Sequence, residues 1–472
     1  MVKSKLVLAA IAGAAALAAA GGTVAAASGA FSHKAKPTAA FVDTHDQAHA
    51  VPAAATTSSE PAVFFAAALR GRNEVPVAGG PAVNDPDGQA MQLLRIQGNQ
   101  ISFAVKWDRI GTPTAAHIHL GKSGANGAIL VPFFGAGLAE GITAVTGSVT
   151  VNDKALLEGI KADPTGFYVN LHTAQFSGGA VRGQLHPLSR PVDLTSVLRG
   201  GPYSALLSGD QEVPAQGKVV GDPDGHATAF VSAAGKRVSY SVTWSGVSAP
   251  VNGHLHQGVV GTNGAVAVGL FAAPNGLPGS INGAAGAVDN VSPDLVRQIS
   301  TDTRGFYFNL HTTDFTDGAV RGQLFRAGIG FDDVFDQASF VASVLRGEQI
   351  YACTQQADGT FAFTQHNVSA VLQGGIAHSF VKDAVGPPQW VSRDRSAVTG
   401  KVLNRTPNGT GNIAELELEL TQSGAPIGQL ANAVLVLRLN TVGGLAPAGA
   451  CDPQKQPIAK SPYEADYLFI TK

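Results

Sequence analysis

The chain has 472 residues, with 32 Lys and Arg against 34 Asp and Glu and a formal charge of −2. Only 14% of its residues are charged, against roughly 25% in ordinary soluble domains, which argues against a coiled coil, a charged disordered tail or a nucleic-acid binder with a basic footprint. The length suits about three domains of roughly 100–200 residues each, and 57 Gly with 26 Pro interrupt the chain too often for long helices, so an all-β protein is expected.

At the N-terminus, Lys3 and Lys5 precede an apolar run from Leu6 to Ala20. The run is shorter than the about 20 residues needed to cross a bilayer, and small residues follow at Ala25, Ala26 and Ala27. Together these features predict a secretory signal peptide over 1–27, cut near Ala27–Ser28. The mature chain is therefore expected to be secreted, extracellular or cell-surface associated, without a transmembrane segment. Residues 28–61 are rich in Ala, Thr, Ser and Pro and read as a disordered linker. Its His45 and His49 read as solvated side chains.

Beyond the linker the chain repeats itself. Leu69-Arg-Gly-Arg-Asn-Glu-Val-Pro76 returns as Leu207-Ser-Gly-Asp-Gln-Glu-Val-Pro214, and His117-Ile-His119 returns as His254-Leu-His256. Gly166-Phe-Tyr-Val-Asn-Leu-His-Thr173 returns as Gly305-Phe-Tyr-Phe-Asn-Leu-His-Thr312, and Gly179-Ala-Val-Arg-Gly-Gln-Leu185 as Gly318-Ala-Val-Arg-Gly-Gln-Leu324. The offset is 138 for Glu74, 137 for His117 and 139 for His172 and Arg182, a period that marks a duplicated domain. Boundaries are expected at 62–187 and 203–326, with a linker at 188–202. Ile101–Trp107 and Val238–Trp244 alternate large apolar residues with polar ones, as half-buried strands do. One short helix per copy is expected, at Val151–Ala162 and Ser292–Ser300. Many short strands with Gly-rich turns predict a two-sheet sandwich or a flattened barrel in each copy.

The early Glu-Val-Pro, the His-x-His, the Asn-x-His-Thr strand and the closing Arg-Gly-Gln-Leu resemble the chordin (CHRD) domain. The resemblance covers both repeats. It implies tandem Greek-key sandwiches, immunoglobulin-like or superoxide-dismutase-like, in an extracellular protein, and it implies no reaction.

Side chains alternate across a strand. His117 and His119 therefore share a face, while Tyr168, Asn170 and His172 lie opposite the apolar side of their own strand, as Arg182 does on the next. With the apolar faces inward, these groups are expected on the outer surface, and His254, His256, His311 and Arg321 repeat the pattern. Two His at i, i+2 with a third from a neighbouring strand suit copper or zinc. The arrangement is similar to the copper centre of copper–zinc superoxide dismutase, although no fourth ligand and no zinc loop match. Arg182 and Arg321 are then candidates to attract an anion. The alternative is a structural histidine ladder that hydrogen-bonds its own loops, with Arg182 and Arg321 paired to Glu74 and Glu212. Asp85-Pro-Asp87-Gly and Asp222-Pro-Asp224-Gly read as tight turns rather than calcium loops. Glu74 and Glu212 lack the second carboxylate of a glycosidase. No Gly-x-Ser-x-Gly elbow, P-loop or dinucleotide fingerprint is present, so no catalytic residue is assigned.

The last third, 335–472, does not repeat the module. Glu415-Leu-Glu-Leu-Glu-Leu420 alternates as a strand with one charged face. The chain's two cysteines, Cys353 and Cys451, are expected to pair in an oxidising compartment. Together with Gly386-Pro-Pro-Gln-Trp390 and Pro462-Tyr-Glu-Ala-Asp-Tyr467, these segments resemble a secreted domain-of-unknown-function family, number 3455, which implies a β-rich extracellular domain. His378, Trp390 and Asp394 are candidates to line a pocket, with core and turn roles as the alternative. The composition and motifs thus predict an exported protein of three β-rich domains that binds an extracellular or cell-envelope partner, or else a copper- or zinc-binding protein that uses the repeated histidines to handle metal or to perform redox chemistry.

Overall fold

The computed structural model describes residues 58–198, 201–326 and 338–472. The expected signal peptide and nearly all of the 28–61 linker lie outside the described residues. Among the described residues the fold is all-β, with two short α-helices.

The first copy contains β1 (Val63–Arg70), β2 (Gln89–Gln97), β3 (Gln100–Asp108), β4 (Pro113–Leu120), β5 (Ile129–Phe134) and β6 (Ile142–Thr150). Helix α1 (Lys154–Ala162) follows, then β7 (Phe167–Thr173), β8 (Val181–Gln184) and β9 (His186–Leu188). One sheet runs β1-β2-β3-β6 and the other β5-β4-β7-β8, with β8 and β9 returning to β1. The crossover between the sheets is a Greek key. Strand alternation sets the core: Ile101, Phe103, Val105 and Trp107 all point inward and are buried. Helix α1 starts at Asp153, whose carboxylate accepts from the Leu156 N–H, and it buries Leu157 and Ile160.

The second copy repeats the plan with β10 (Tyr203–Ser208), β11 (His226–Ala234), β12 (Arg237–Ser245), β13 (Asn252–Gln257), β14 (Val266–Ala272) and β15 (Ile281–Val288). Helix α2 (Pro293–Thr301) precedes β16 (Phe306–His311), β17 (Val320–Gln323) and β18 (Phe325–Arg326). Both helices occur where the sequence predicts them. Each Asp-Pro-Asp-Gly is a turn, closed by Gly88 N–H to Asp85 O and Gly225 N–H to Asp222 O.

The copies join through equivalent strands. β6 and β15 pair antiparallel, with Ile281 opposite Gly147 and Gly286 opposite Ile142. Ser148 N donates to Ser280 O, and its counterpart Ala287 N donates to Gly141 O. The seam therefore has local twofold symmetry, as an isologous interface does. It also explains two glycines: a Cβ on Gly147 would come within 2.1 Å of Ser280 O, and one on Gly286 within 1.8 Å of Gly141 O.

The C-terminal part is a closed barrel of β19 (Phe340–Gln355), β20 (Phe361–Leu372), β21 (Ala377–Phe380), β22 (Pro388–Val391), β23 (Ala397–Thr406), β24 (Glu415–Gln422), β25 (Ala433–Gly443) and β26 (Ile458–Thr471). Trp390 is a core residue, 1% exposed, stacked on His378 with ring centroids 4.5 Å apart. Asp394 shapes a turn by accepting from the Ser396 hydroxyl and the Gln429 N–H. The structure thus gives these residues core and turn roles. Cys353 and Cys451 are disulfide-bonded.

The barrel packs on the first copy. Leu435, Leu437, Leu439, Leu468 and Ile470 meet Phe64, Ala66, Ala68, Met91 and Leu93 in one apolar cluster. In the second copy Ser204 and Thr228 stand where the first has Ala66 and Met91, and Leu206, which stands where the first has Ala68, is exposed. The Glu face of β24 meets residues 186–190, with Glu415 and Glu417 buried and Glu419 still partly exposed. Glu417 accepts from Ser189 N, Arg190 pairs with Glu419 at 2.6 Å, and His186 lies 3.4 Å from Glu415. At the centre, Arg70 pairs with the fully buried Asp466 at 2.6 Å, and Asp466 also accepts from Asn440 Nδ2. Asp466→Ala leaves the Arg70 guanidinium without its carboxylate. A loss of about 3 kcal/mol in unfolding free energy is expected, read by denaturant titration.

Candidate metal centres

The β4–β7 register sets His117 opposite Asn170, His119 opposite Tyr168 and Ala115 opposite His172. The three histidines therefore come together on one sheet face, and one ligand nitrogen from each lies within 4.8 Å of the others. His254, His256 and His311 form the same group in the second copy. Each group can hold a metal ion.

Hydrogen bonds decide which nitrogen each ring offers. His119 Nδ1–H donates to Gly127 O at 3.1 Å, and His172 Nδ1–H donates to Ser177 O at 3.0 Å. Both rings then present a bare Nε2 lone pair. His172 Nε2 faces His117 Nδ1 at 3.2 Å, so these two nitrogens share one proton that a metal would displace. His119 Nε2 is buried and has no protein partner. The second copy matches: His256 Nδ1 to Gly264 O at 3.0 Å, His311 Nδ1 to Thr316 O at 3.0 Å, and His254 Nδ1 to His311 Nε2 at 3.1 Å. His256 Nε2 is likewise buried and unpartnered. A buried polar atom without a partner costs roughly 1–3 kcal/mol, and the same cost recurs at equivalent positions of both copies.

The six rings are neutral at physiological pH. Burial, reinforced by His172 and His119, lowers the pKa of His117 to about 3. Burial brings His119 to about 4 and also lowers His172. In the second copy burial takes His254 to about 4 and lowers His256 and His311. Neutral imidazole is the form that binds metals.

Arg182 and Arg321 are not on the outer surface as expected; they are 1% and 2% exposed. Strand alternation assigns them the right face, but a loop folds over that face. Arg182 donates to Lys122 O, Ala125 O and Asn126 Oδ1, and its guanidinium carbon lies 3.4 Å from the Tyr168 ring centroid. Tyr168 in turn stacks on His119, with centroids 4.7 Å apart. Arg321, Tyr307 and His256 form the same stack, with Arg321 3.5 Å from the Tyr307 centroid and Tyr307 4.8 Å from His256. The arginine thus bolts down the loop whose Gly127 carbonyl orients His119.

Glu74 is buried beside this group and accepts from Asn170 Nδ2 at 2.7 Å. Burial raises its pKa to about 8, with Arg182 opposing. Glu212, near Asn309 at 3.4 Å, is raised to about 7 for the same reason. A Cβ on Gly179 would lie 2.5 Å from both Glu74 Oε1 and Asn170 Nδ2, so the Gly before Ala-Val-Arg is required there. A cavity of about 180 Å³ beside His119 is lined by Glu74, Asn126, Tyr168 and Asn170 and walled by Val75, Val77, Pro81 and Val83. Roles for the Tyr, Asn and Gln side chains were not assigned from sequence. The signal was their recurrence: Tyr168 as Tyr307, Asn170 as Asn309, Asn126 as Asn263 and Gln184 as Gln323.

These shifts predict a stability optimum for the metal-free chain. A buried neutral histidine with a depressed pKa contributes stability that is present above the unfolded value of about 6.5 and is lost as pH falls toward 3–4. Glu74 and Glu212, with raised values, contribute stability that is present below about 4.5 and is lost as pH rises through 7–8. The melting temperature of the apo-protein is expected to peak near pH 6–6.5 and to fall on both sides. A monotonic rise from pH 5 to pH 8.5 in calorimetry would contradict this.

The CHRD domain family matches residues 65–185 and 203–324, together just over half of the chain. A second family, described as a protein of unknown function (DUF3455), matches residues 367–471. No curated protein and no solved structure is significantly similar to the chain.

Proposed function

The chain belongs to the CHRD domain family, and from that premise we propose that it is an exported, surface-associated or secreted protein that holds one copper or zinc ion in each CHRD module. One observation carries the reading. His119 Nε2 and His256 Nε2 are buried, unpartnered and set among two further imidazoles, while Nδ1 of each ring is committed to a backbone carbonyl. Three neutral nitrogen donors suit copper or zinc better than calcium or magnesium, which take oxygen. Three protein ligands also leave a coordination position open to water or a small exogenous ligand.

Export is supported by the basic and apolar N-terminus and by the disulfide, which persists in oxidising compartments. Among the described residues no helix is long and apolar enough to cross a membrane. Amino-terminal sequencing of the extracellular fraction is expected to start at Ser28. Elemental mass spectrometry of the untagged chain, loaded with copper or zinc and freed of excess metal, is expected to give two equivalents. A value near zero for both metals refutes the metal reading and leaves an extracellular partner as the object of search.

A further inference from the structure

The two histidine groups sit in nearly identical surroundings, yet among the described residues the hydrogen-bonded tie to the barrel is made by the first. In the first copy, Asn73 Nδ2 donates to the backbone carbonyl of Arg182 at 3.0 Å and to Asn440 Oδ1 of the barrel at 3.1 Å. Asn440 Nδ2 donates back to Ala68 O at 3.0 Å and to Asp466 Oδ2 at 2.8 Å. Arg70, the partner of Asp466, is also the residue of β1 that pairs across to Arg182 of β8. From Arg182 the chain of contacts continues through the loop carbonyls at 122 and 125 and through the Tyr168 ring to His119.

In the second copy the inner half of this chain is preserved and, among the described residues, the outer half is not repeated. Arg321 holds Val259 O, Thr262 O and Asn263 Oδ1 as its counterpart does. Ser208 stands where Arg70 stands and Gln211 where Asn73 stands. Gln211 Nε2 turns back to Leu206 O and Ser208 Oγ, within its own module.

We propose that the C-terminal barrel clamps the first metal site and leaves the second free, so that one chain carries a retained metal and an exchangeable one. The inference rests on the metal reading above. The physical reason is preorganisation. Ligands fixed before binding lose less freedom when the metal arrives, and the arginine that holds the loop over His119 is tied through Asn73 to the neighbouring barrel. The loop that orients His256 is held by Arg321 of its own module. The occupant of the clamping surface is the chain's own residues 435–470, and the two sites serve as each other's control.

The test uses two full-length one-site proteins. His254→Ala/His256→Ala keeps the first site, and His117→Ala/His119→Ala keeps the second. Zn²⁺ affinity is measured by competition with a chromophoric chelator, alone and with Asn440→Ala added. The first site is expected to bind more tightly and to lose affinity by about 2- to 30-fold with Asn440→Ala, the range in which remote coupling changes binding, while the second site is unchanged. Asn73→Gln, which copies the second module's own residue, is expected to act in the same direction and serves if Asn440→Ala disturbs folding on thermal melting. Equal affinities at the two sites that neither substitution separates, or equal losses at both, overturn the inference. Failure of both one-site proteins to bind zinc or copper refutes the metal reading itself, which is a distinguishable result.

Discussion

His119→Ala combined with His256→Ala is expected to take the chain from two bound metal ions to none, and either substitution alone from two to one. Each removes the one imidazole whose Nε2 has no protein partner and leaves a pair of histidines that share a proton with each other. Two imidazoles are too few for a tight zinc or copper site built on histidine alone. Stability should barely move. The bond lost is Nδ1–H to a loop carbonyl, worth about 1 kcal/mol, and an unpartnered buried atom disappears with it. A purely structural histidine ladder makes the opposite forecast: full stability depends on the ring, and metal content is zero throughout. Elemental analysis and a denaturant titration on the same four proteins separate the two. Retention of two equivalents by the double variant would sink the assignment of these histidines as ligands.

Cys353→Ser with Cys451→Ser should give the largest loss of stability outside the metal sites. The bond spans 98 residues of sequence, and on the chain-entropy account a loop of that length contributes about 4–5 kcal/mol. Its position shows what is lost. Cys451 lies in the long connection between β25 and β26, and its N–H donates to Phe361 O, while Cys353 N–H donates to Pro457 O. The bond pins that connection over the β19–β20 hairpin. Its removal is expected to lower the melting temperature of the barrel by about 10–20 °C. The CHRD modules have their own core, so zinc binding at the second site should survive. Reductant is expected to reproduce the effect in the native chain and to leave the double variant unaffected. A shift of a degree or two would place the hold on that connection in its backbone bonds instead.

The parts of this protein that were legible in the sequence are those governed by short-range periodicity. Period-2 alternation put Ile101, Phe103, Val105 and Trp107 in the core and gave His117, His119 and His172 a common face, because a strand allows only two directions for a side chain. Duplication marked the important positions, since Tyr168, Asn170 and Arg182 recur with the histidines. Alternation says which face a residue takes, and it is silent on what lies over that face. Hence Arg182, read as an outward side chain, is buried beneath the 121–127 loop. The Glu face of β24, read only as charged, docks on 186–190.

By itself, then, the sequence determined an all-β chain of two matched modules and a third domain, the shared histidine face and the pair of cysteines. Each of these is written in residues close together or in a repeated pattern. Tertiary structure alone decided that β6 and β15 fuse the modules into one sheet, that a loop closes over the arginine and leaves His119 Nε2 unpartnered, and that the barrel seats its apolar face on the first module. Those outcomes depend on surfaces assembled from residues tens to hundreds of positions apart. There Ala68 lies in the cluster under the barrel whereas Leu206 is exposed, and Asn73 bonds Asn440 whereas Gln211 bonds its own module.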